Sequence, residues 1–104
     1  MSRIVAISSC IAGIAHTMMA KKALENAASA LGVDIKVETQ GMCGIENRIT
    51  DEDIEMADVA IFAVDSSVDE RERFDDIEVL EVGTSETIKD PESVIKDALD
   101  LVHE

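Results

Sequence analysis

Apolar and polar positions follow two periods along the chain, one typical of strands and one typical of helices. Residues 3–8 (RIVAIS) form a β-branched apolar run, which predicts a buried strand. Residues 14–31 place apolar side chains at helical spacing and predict an amphipathic helix that Gly32 ends. Four side chains mark the predicted inner face of this helix: Ile14, Met18, Leu24 and Leu31. We also predict packing roles, in the core or at its rim, for Met18 and Met19.

Three further stretches have the pattern of strands, namely residues 33–39, 58–64 and 77–82. The first of these alternates in polarity, so its apolar side chains should face the core and its charged side chains should face solvent. The expected inward positions are Val33, Ile35 and Val37, and the expected outward positions are Asp34, Lys36 and Glu38.

Two shorter helices are predicted later in the chain. Residues 51–57 should form an acidic helix, for which Thr50 and Asp53 resemble a start signal. Pro91 opens a last helix. The side chains expected to face inward from it are Val94, Ile95, Ala98, Leu99 and Val102.

The remaining segments are predicted as connections. Residues 40–44 (QGMCG) are expected to be a loop with two glycines, and residues 84–90 (TSETIKD) are expected to turn the chain. Residues 65–75 predict a charged loop or a short helical excursion. We expect this segment to be a solvated face, with a partner surface as the alternative.

Strands that alternate with helices indicate an α/β fold with right-handed crossovers. We predict one domain over residues 1–104, built on an open four-stranded, mainly parallel sheet with helices on both faces, which is a Rossmann-like arrangement. Sites in such sheets lie at the carboxyl ends of strands, beside the point where the strand order reverses. Cys10 follows the first strand and is therefore the first candidate functional residue.

Charge excludes one class of partner. The 104 residues carry a formal net charge of −14, which repels phosphate backbones and anionic lipid surfaces, so we expect no nucleic-acid binding. Such a surface suits concentrated salt, where repulsion is screened, and a salt-loving source is a hypothesis. Two cysteines without an export signal indicate a reducing, cytoplasmic setting.

Cys10 has several interpretations. Two cysteines without a histidine cluster make a structural zinc site improbable, and the separation of Cys10 from Cys43 disfavours a redox pair. A helix N-terminus after the short segment that contains Gly13 would lower the pKa of a nearby thiol and stabilise a bound anion. A thiolate in that setting can accept a phosphoryl group. A buried structural thiol remains the alternative.

Other residues could take part in the same site. His16 and Thr17 lie at the start of the helix and could bind a phosphate, or could be an ordinary exposed histidine and a first-turn hydroxyl. The loop after the second strand could border the same cleft, with Gln40, Gly41 and Gly44 at its rim.

Several motifs carry a resemblance to a known family. CIAGIAHT resembles the active-site loop of fructose-type enzyme IIB domains of the phosphoenolpyruvate-dependent sugar phosphotransferase system, typically Cys-Pro-Thr-Gly-Ile-Ala-His-Thr. Cys10 and Gly13 to Thr17 match, whereas Ile11 and Ala12 replace the usual Pro-Thr. The segment VETQGMCGIEN resembles the family's second motif. The likeness continues through ADVAIFAVD, Arg73-Phe74 and IKDPESVIKDAL, and so covers nearly the whole chain.

The resemblance implies a phosphoryl carrier. Cys10 would accept the phosphoryl group from a phosphohistidine on a IIA partner and pass it to a sugar held by a membrane IIC permease, giving fructose 1-phosphate. The implied phosphate-binding residues are Ile11, Ala12, Gly13, Ile14, Ala15, His16 and Thr17. The resemblance implies no metal ion and no organic cofactor. It also implies a cytoplasmic protein at the inner face of the permease, with IIA and IIC as separate chains.

Two other classes of function are weighed against this one. Small cysteine phosphatases and arsenate reductases close a Cys-x5-Arg loop on the anion, but the residue at that position here is His16. No arginine occurs between Arg3 and Arg48, which argues against that chemistry. A non-catalytic regulatory or binding module on the same fold is the other alternative.

Overall fold

A computed structural model describes residues 2–9, 14–41, 44–65 and 68–102. The strands are β1 (Arg3–Ser9), β2 (Asp34–Gly41), β3 (Gly44–Glu46), β4 (Val59–Val64) and β5 (Val79–Val82). The helices are α1 (Ile14–Leu31), α2 (Asp51–Met56), α3 (Thr84–Lys89) and α4 (Pro91–Asp100), and Arg71–Phe74 forms a 3₁₀ turn.

The five strands form one sheet in the order β3-β2-β1-β4-β5. β1 lies between β2 and β4 and is parallel to both, and β5 is parallel to β4. The α/β class and the mainly parallel sheet are therefore confirmed, but the predicted count of four strands is wrong. Within the segment expected to be a loop at residues 40–44, Gln40, Gly41 and Gly44 instead lie in paired strands, since antiparallel β3 pairs with β2 and Gly41 lies opposite Gly44, while residues 42–43 lie outside the described part of the chain.

Helices cover both faces of the sheet, as predicted. One face packs on α1 and α4, with a core of aliphatic side chains. Its buried residues are Ile4, Ala6, Leu24, Ala27, Ala28, Val37, Val59, Ile61, Ala63, Val94, Ile95 and Ala98. The other face packs on α2, the 3₁₀ turn and their flanking segments. Its buried residues are Val5, Ile7, Ile49, Ala60, Phe62, Val64, Val68 and Phe74.

The long helix α1 has the predicted bounds and the predicted end. Gly32 has a φ of 71°, the left-handed conformation that glycine adopts most readily after a helix. The Val33 amide donates to the Ala28 carbonyl at 2.9 Å, which closes the last turn. Leu24 is buried as expected. Met18, however, is 42% exposed, so its assignment to the inner face was wrong.

α2 and α4 each begin at a capping side chain. Thr50 and Asp53 form a reciprocal capping box at the start of α2, which confirms the start signal in the sequence. Asp90 accepts a hydrogen bond from the Ser93 amide at 3.3 Å and precedes Pro91 in α4. Val94, Ile95 and Ala98 of α4 are buried as predicted, whereas Leu99 and Val102 are only partly buried against the same core.

α3 was not expected, because residues 84–90 were predicted as a turn. This helix has six residues and follows Gly83 directly. Its two threonines, Thr84 and Thr87, are fully buried. A short polar segment has no helical period to detect, so tertiary contacts rather than sequence pattern determine this element.

Candidate functional site

The strand order reverses at the carboxyl ends of β1 and β4. The chain runs from β1 through α1 to β2 on one side, and returns through α2 to β4 on the other side of β1. Ser9 pairs with Val64 at this edge, and the Asp65 amide donates to the Ser9 carbonyl at 3.2 Å. Cys10 follows Ser9 in the chain. The edge formed by Ser9, Val64 and Asp65 is where open α/β sheets bind ligands.

Four of the predicted site residues lie outside the described part of the chain, namely Cys10, Ile11, Ala12 and Gly13. Cys43 also lies outside it. The site can therefore be described through the elements that flank this segment, which are the end of β1, the start of α1, and the residues that follow β4 and β5.

The first turn of α1 is fixed to the end of β1. Buried Ser8 donates from its hydroxyl to the carbonyl of Thr17 at 2.8 Å. Ala15 is exposed, His16 is partly buried and Thr17 is buried, so the predicted residues differ in their access to solvent. The N–H groups of a first helical turn have no partner within the helix and can bind an anion.

Charge distribution separates this helix start from the others. The first turn of α1 has no acidic residue, although the chain contains 23 of them. In contrast, the first turn of α2 contains Asp51, Glu52 and Asp53. An acidic side chain would compete with a phosphate for the N–H groups of the first turn, and α1 has none in that place.

A hydrogen-bonded chain of three side chains connects α1, α3 and the end of β4. The hydroxyl of Thr84 donates to the carboxylate of Asp65, and the same oxygen lies 3.1 Å from Nδ1 of His16. The other oxygen of Asp65 accepts from the Thr84 amide at 3.1 Å. His16 was predicted as a site residue, but Asp65 and Thr84 were not. Their positions directly after β4 and close after β5 were the sequence signal that could have identified them.

The predicted rim residues occupy two different environments. Gly41 and Gly44 are exposed and face each other in the β2–β3 hairpin. Gln40 is buried, and its amide group bonds to the backbone of Asp69 in both directions, at 2.9 and 3.0 Å. Gln40 therefore joins the segment after β4 to the carboxyl end of β2.

Glu38 does not face solvent as predicted, because it is fully buried. The alternation along β2 was correct, but the face that carries Glu38 is covered by the 3₁₀ turn. Arg73 contacts both carboxylate oxygens at 2.9 Å, and the Ile49 amide donates to one of them at 2.8 Å. Burial acts to raise the pKa of Glu38, but the bonds from Arg73, Ile49 and Gln40 outweigh it and lower the pKa below its ordinary value.

The segment at residues 65–75 was predicted as a charged loop or short helical excursion, and Arg71–Phe74 does form a 3₁₀ turn. It is not simply a solvated face, however, since Val68 and Phe74 are buried. Phe74 packs edge-on against Phe62, with the ring centroids 5.1 Å apart. Part of this segment thus forms the core of the second layer.

The arginines of the chain are all engaged with carboxylates. Each of the four lies in the part of the chain that the structure describes, and each forms an ion pair. The pairs are Arg3–Asp34, Arg48–Glu70, Arg71–Glu81 and Arg73–Glu38.

Among the described residues, no helix combines the length and the apolarity needed to cross a bilayer.

Comparison with known proteins identifies the family to which the chain belongs. Residues 5–97 match the family described as "PTS system, Lactose/Cellobiose specific IIB subunit". The chain is 41% identical over 95 residues to the "PTS system fructose-like EIIB component 2" of Escherichia coli K12, an alignment that covers 91% of this chain and 90% of that protein.

Two further relatives extend the comparison. The "PTS system 2-O-alpha-mannosyl-D-glycerate-specific EIIABC component" of Escherichia coli K12 is 45% identical over 98 residues, which are 94% of this chain and 15% of that longer protein. The crystal structure of a "Predicted Fructose Specific IIB" from Escherichia coli superposes with a TM-score of 0.93 at 33% identity, covering 100% of this chain and 92% of that one.

The fold and these matches define a phosphoryl-transfer component of a sugar phosphotransferase system. The chain belongs to the IIB family of that system, and its relatives include fructose-like members. The resemblance that the sequence motifs indicated is therefore confirmed.

Proposed function

We propose that the protein is a single IIB domain over residues 1–104 that carries a phosphoryl group on Cys10. The observation that supports this most strongly is the position of Cys10 within a IIB fold. In the sequence it directly follows β1, whose carboxyl end lies at the edge where the strand order reverses.

The proposed reaction has two transfers. In the first, Sγ of Cys10 attacks the phosphorus of a phosphohistidine on a IIA partner, and the N–P bond breaks as the S–P bond forms. In the second, a sugar hydroxyl attacks that phosphorus, loses its proton and releases the thiolate. The sugar is held by a membrane IIC permease. We propose fructose as the sugar and fructose 1-phosphate as the product, since fructose-like proteins are among the relatives.

The chain's own residues would stabilise the phosphoryl group by hydrogen bonding. Backbone N–H groups from Ile11 to Thr17 surround the anion in this proposal, and the side chains of His16 and Thr17 take part. We propose exposed Gly41 and Gly44 as rim residues of the same cleft, and buried Gln40 as the residue that joins β2 to the segment after β4. The reaction requires no metal ion or organic cofactor in this scheme.

The partner proteins are proposed to meet the domain at α1. Met18 and Met19 are 42% and 53% exposed and lie within the first two turns of α1. Lys21 and Lys22 follow on the same helix, which contains a single acidic residue in a chain of net charge −14. A phosphorylated IIA surface is anionic, so it would approach α1, whose two lysines outnumber its one glutamate. The domain would act in the cytoplasm, against the permease.

The arginine pairs argue against the hydrolytic alternative. A phosphatase of this size would need an arginine directed at the phosphate, and each arginine is instead paired with a carboxylate. Hydrolysis and a non-catalytic binding role are nevertheless two alternatives that the experiment below distinguishes from phosphoryl transfer.

The test is phosphoryl transfer from a phosphorylated fructose-type IIA protein, followed by intact mass. Wild type should gain the mass of one phosphoryl group, and Cys10→Ser should gain none. Cys43→Ser is the matched control and should behave as wild type. An adduct on a residue other than Cys10 would refute the assignment. Absence of any adduct would favour the binding module, and turnover of an aryl phosphate would favour the phosphatase.

A further inference from the structure

Thr84 stands between a carboxylate and an imidazole. Its hydroxyl group donates to Asp65, and the hydroxyl oxygen lies 3.1 Å from Nδ1 of His16. The Thr84 side chain is fully buried. Its backbone amide also bonds to Asp65, at 3.1 Å, so two contacts determine the position of the threonine relative to the carboxylate.

The direction of these bonds determines where the proton of His16 resides. A hydroxyl has one proton to donate, and a carboxylate can only accept. Because Thr84 gives its proton to Asp65, its oxygen can interact favourably with Nδ1 only as an acceptor. Nδ1 of His16 must therefore carry a proton, which makes the neutral ring the Nδ1–H tautomer.

We propose that Asp65 and Thr84 are positioning residues that hold His16 in this tautomer and orientation. The proposal rests on the proposed function, since it assigns the role of His16 in phosphoryl transfer. With one proton kept at Nδ1, the role of Nε2 toward a phosphoryl oxygen depends on whether that nitrogen also carries a proton. Unprotonated Nε2 accepts a hydrogen bond, and protonated Nε2 donates one to a phosphoryl oxygen.

The three residues come from separate elements, which is why the chain of bonds can position the ring. Asp65 follows β4, Thr84 begins α3 and His16 lies in the first turn of α1. The ring is therefore oriented by the sheet edge as well as by its own helix. Gly83 permits the close approach of α3, since a Cβ at that position would lie 3.1 Å from a carboxylate oxygen of Asp65.

Asp65→Asn provides the sharpest test. The Asn oxygen can still accept from the Thr84 amide, which places the Asn NH₂ group at the Thr84 hydroxyl. The hydroxyl then accepts from Asn and donates to His16, so Nδ1 must become the acceptor. We expect His16 to change to the Nε2–H tautomer. A long-range ¹H–¹⁵N correlation spectrum of the neutral ring measures this directly, with His103→Gln as background to leave a single histidine.

Two threonine variants complete the set. Thr84→Val removes the hydroxyl at nearly constant volume, and Thr84→Ser restores it. Thr87→Val is the matched control, because Thr87 is also a fully buried threonine of α3 but donates to the Gly83 carbonyl at 2.9 Å. We expect Thr84→Val to lose the Nδ1–H signature and Thr84→Ser and Thr87→Val to keep it.

The same variants should affect the transfer rate. Loss of a hydrogen bond that orients a group binding an anion should slow phosphorylation by IIA about 10-fold in Asp65→Asn and Thr84→Val. Thr84→Ser should retain most of the rate. Should Thr84→Val fail to fold, Asp65→Asn still decides, because Asp65 is an exposed residue and the substitution keeps its shape.

The outcomes separate this proposal from the proposed function. An Nε2–H tautomer in wild type, or an unchanged tautomer in Asp65→Asn, would overturn the positioning role even if Cys10 is phosphorylated. If the tautomer changes as expected while transfer is unaffected, the role in phosphoryl transfer is overturned. Failure of wild type to form a Cys10 adduct would overturn the proposed function and with it that role, whereas the tautomer assignment is tested by the spectra alone.

Discussion

Arg73 holds the carboxylate of Glu38 through both of its terminal nitrogens, at 2.9 Å each, where the Glu38 side chain is fully buried and that of Arg73 is 9% exposed. Two residues from motifs shared with the family thus form an ion pair inside the second layer. Glu38 also accepts hydrogen bonds from Gln40 and the Ile49 amide. The pair joins β2 to the 3₁₀ turn and so supports the segment that follows β4.

Removing the arginine should strongly destabilise the protein. Arg73→Met leaves the Glu38 carboxylate buried without its counter-ion, which typically costs about 3–5 kcal/mol. Adding Glu38→Gln should recover part of that loss, since the glutamine oxygen can still accept from the Ile49 amide without a buried charge. Urea unfolding of the two single variants and the double variant measures the coupling.

Arg48→Met is the matched control for this pair. Arg48 also binds a glutamate, Glu70, but both side chains are largely exposed. Water already solvates such a pair, so the midpoint of urea unfolding should barely change. Equal losses in Arg48→Met and Arg73→Met would contradict the argument from burial.

Stability should decrease in acid through Asp53 in a defined pH range. The hydrogen bond from Lys36, 2.7 Å away, and that from the Thr50 amide lower the pKa of Asp53 from 3.8 to about 2. A carboxylate with a lower pKa in the folded state stabilises the protein above its unfolded pKa. That contribution should be fully present above pH 3.8 and lost as the pH falls towards 2.

The free energy of unfolding, measured by urea at a series of pH values, tests this expectation. Asp53→Asn should make the dependence on pH shallower in that range, and Lys36→Met should do the same by removing the main cause. A remaining slope is expected from Glu38, whose pKa is also lowered in the folded protein. A slope unchanged by both variants would show that Asp53 does not contribute.

The elements with a clear period could be predicted from the sequence, whereas the short elements could not. α1 has the predicted bounds because its composition and its terminal glycine specify a helix locally. β3 and α3 have three and six residues and are stabilised by pairing and packing with distant segments. The spacing of apolar residues along the sequence does not show which distant segments a short element will contact, so β3 and α3 were missed.

The same distinction holds for the site. Residues of the first turn could be proposed from a contiguous motif, but the partners of His16 lie far away in sequence and meet it through the fold. Glu38 was placed on the correct face of β2 and given the wrong environment, because alternation does not say what covers a face. Helices were predicted on both faces of the sheet, so a carboxylate that is covered on either face needs a counter-ion. For Glu38 that counter-ion is Arg73.

Salt should stabilise the protein. A surface cavity near the start of β4 and β5 is lined by five acidic residues and one arginine, namely Asp51, Glu55, Asp58, Asp76 and Glu78, with Arg73. Their repulsion is screened over about 3 Å in 1 M salt, compared with about 10 Å in 0.1 M. We expect the melting temperature to rise by about 5 °C or more between low salt and molar KCl.

The neutralised variant Asp76→Asn with Glu78→Gln should show a smaller increase of melting temperature with salt than wild type. It should also melt at a higher temperature than wild type in low salt, because two of the repelling charges are gone. Full stability of wild type at low salt would contradict both this expectation and the hypothesis of a salt-loving source.

The exposed methionines at the start of α1 should matter for transfer rather than for folding. Met18 and Met19 are partly exposed, so charged substitutions there cost little in the isolated protein. Met18→Glu and Met19→Glu would place negative charge where an anionic IIA partner is proposed to dock, and should slow phosphorylation of Cys10 mainly by weakening association.

Met56→Glu is the matched control, because Met56 is 62% exposed on α2 and far along the chain from that surface. The rate should be measured as a function of IIA concentration. Equal rates in all three variants would place the docking surface elsewhere.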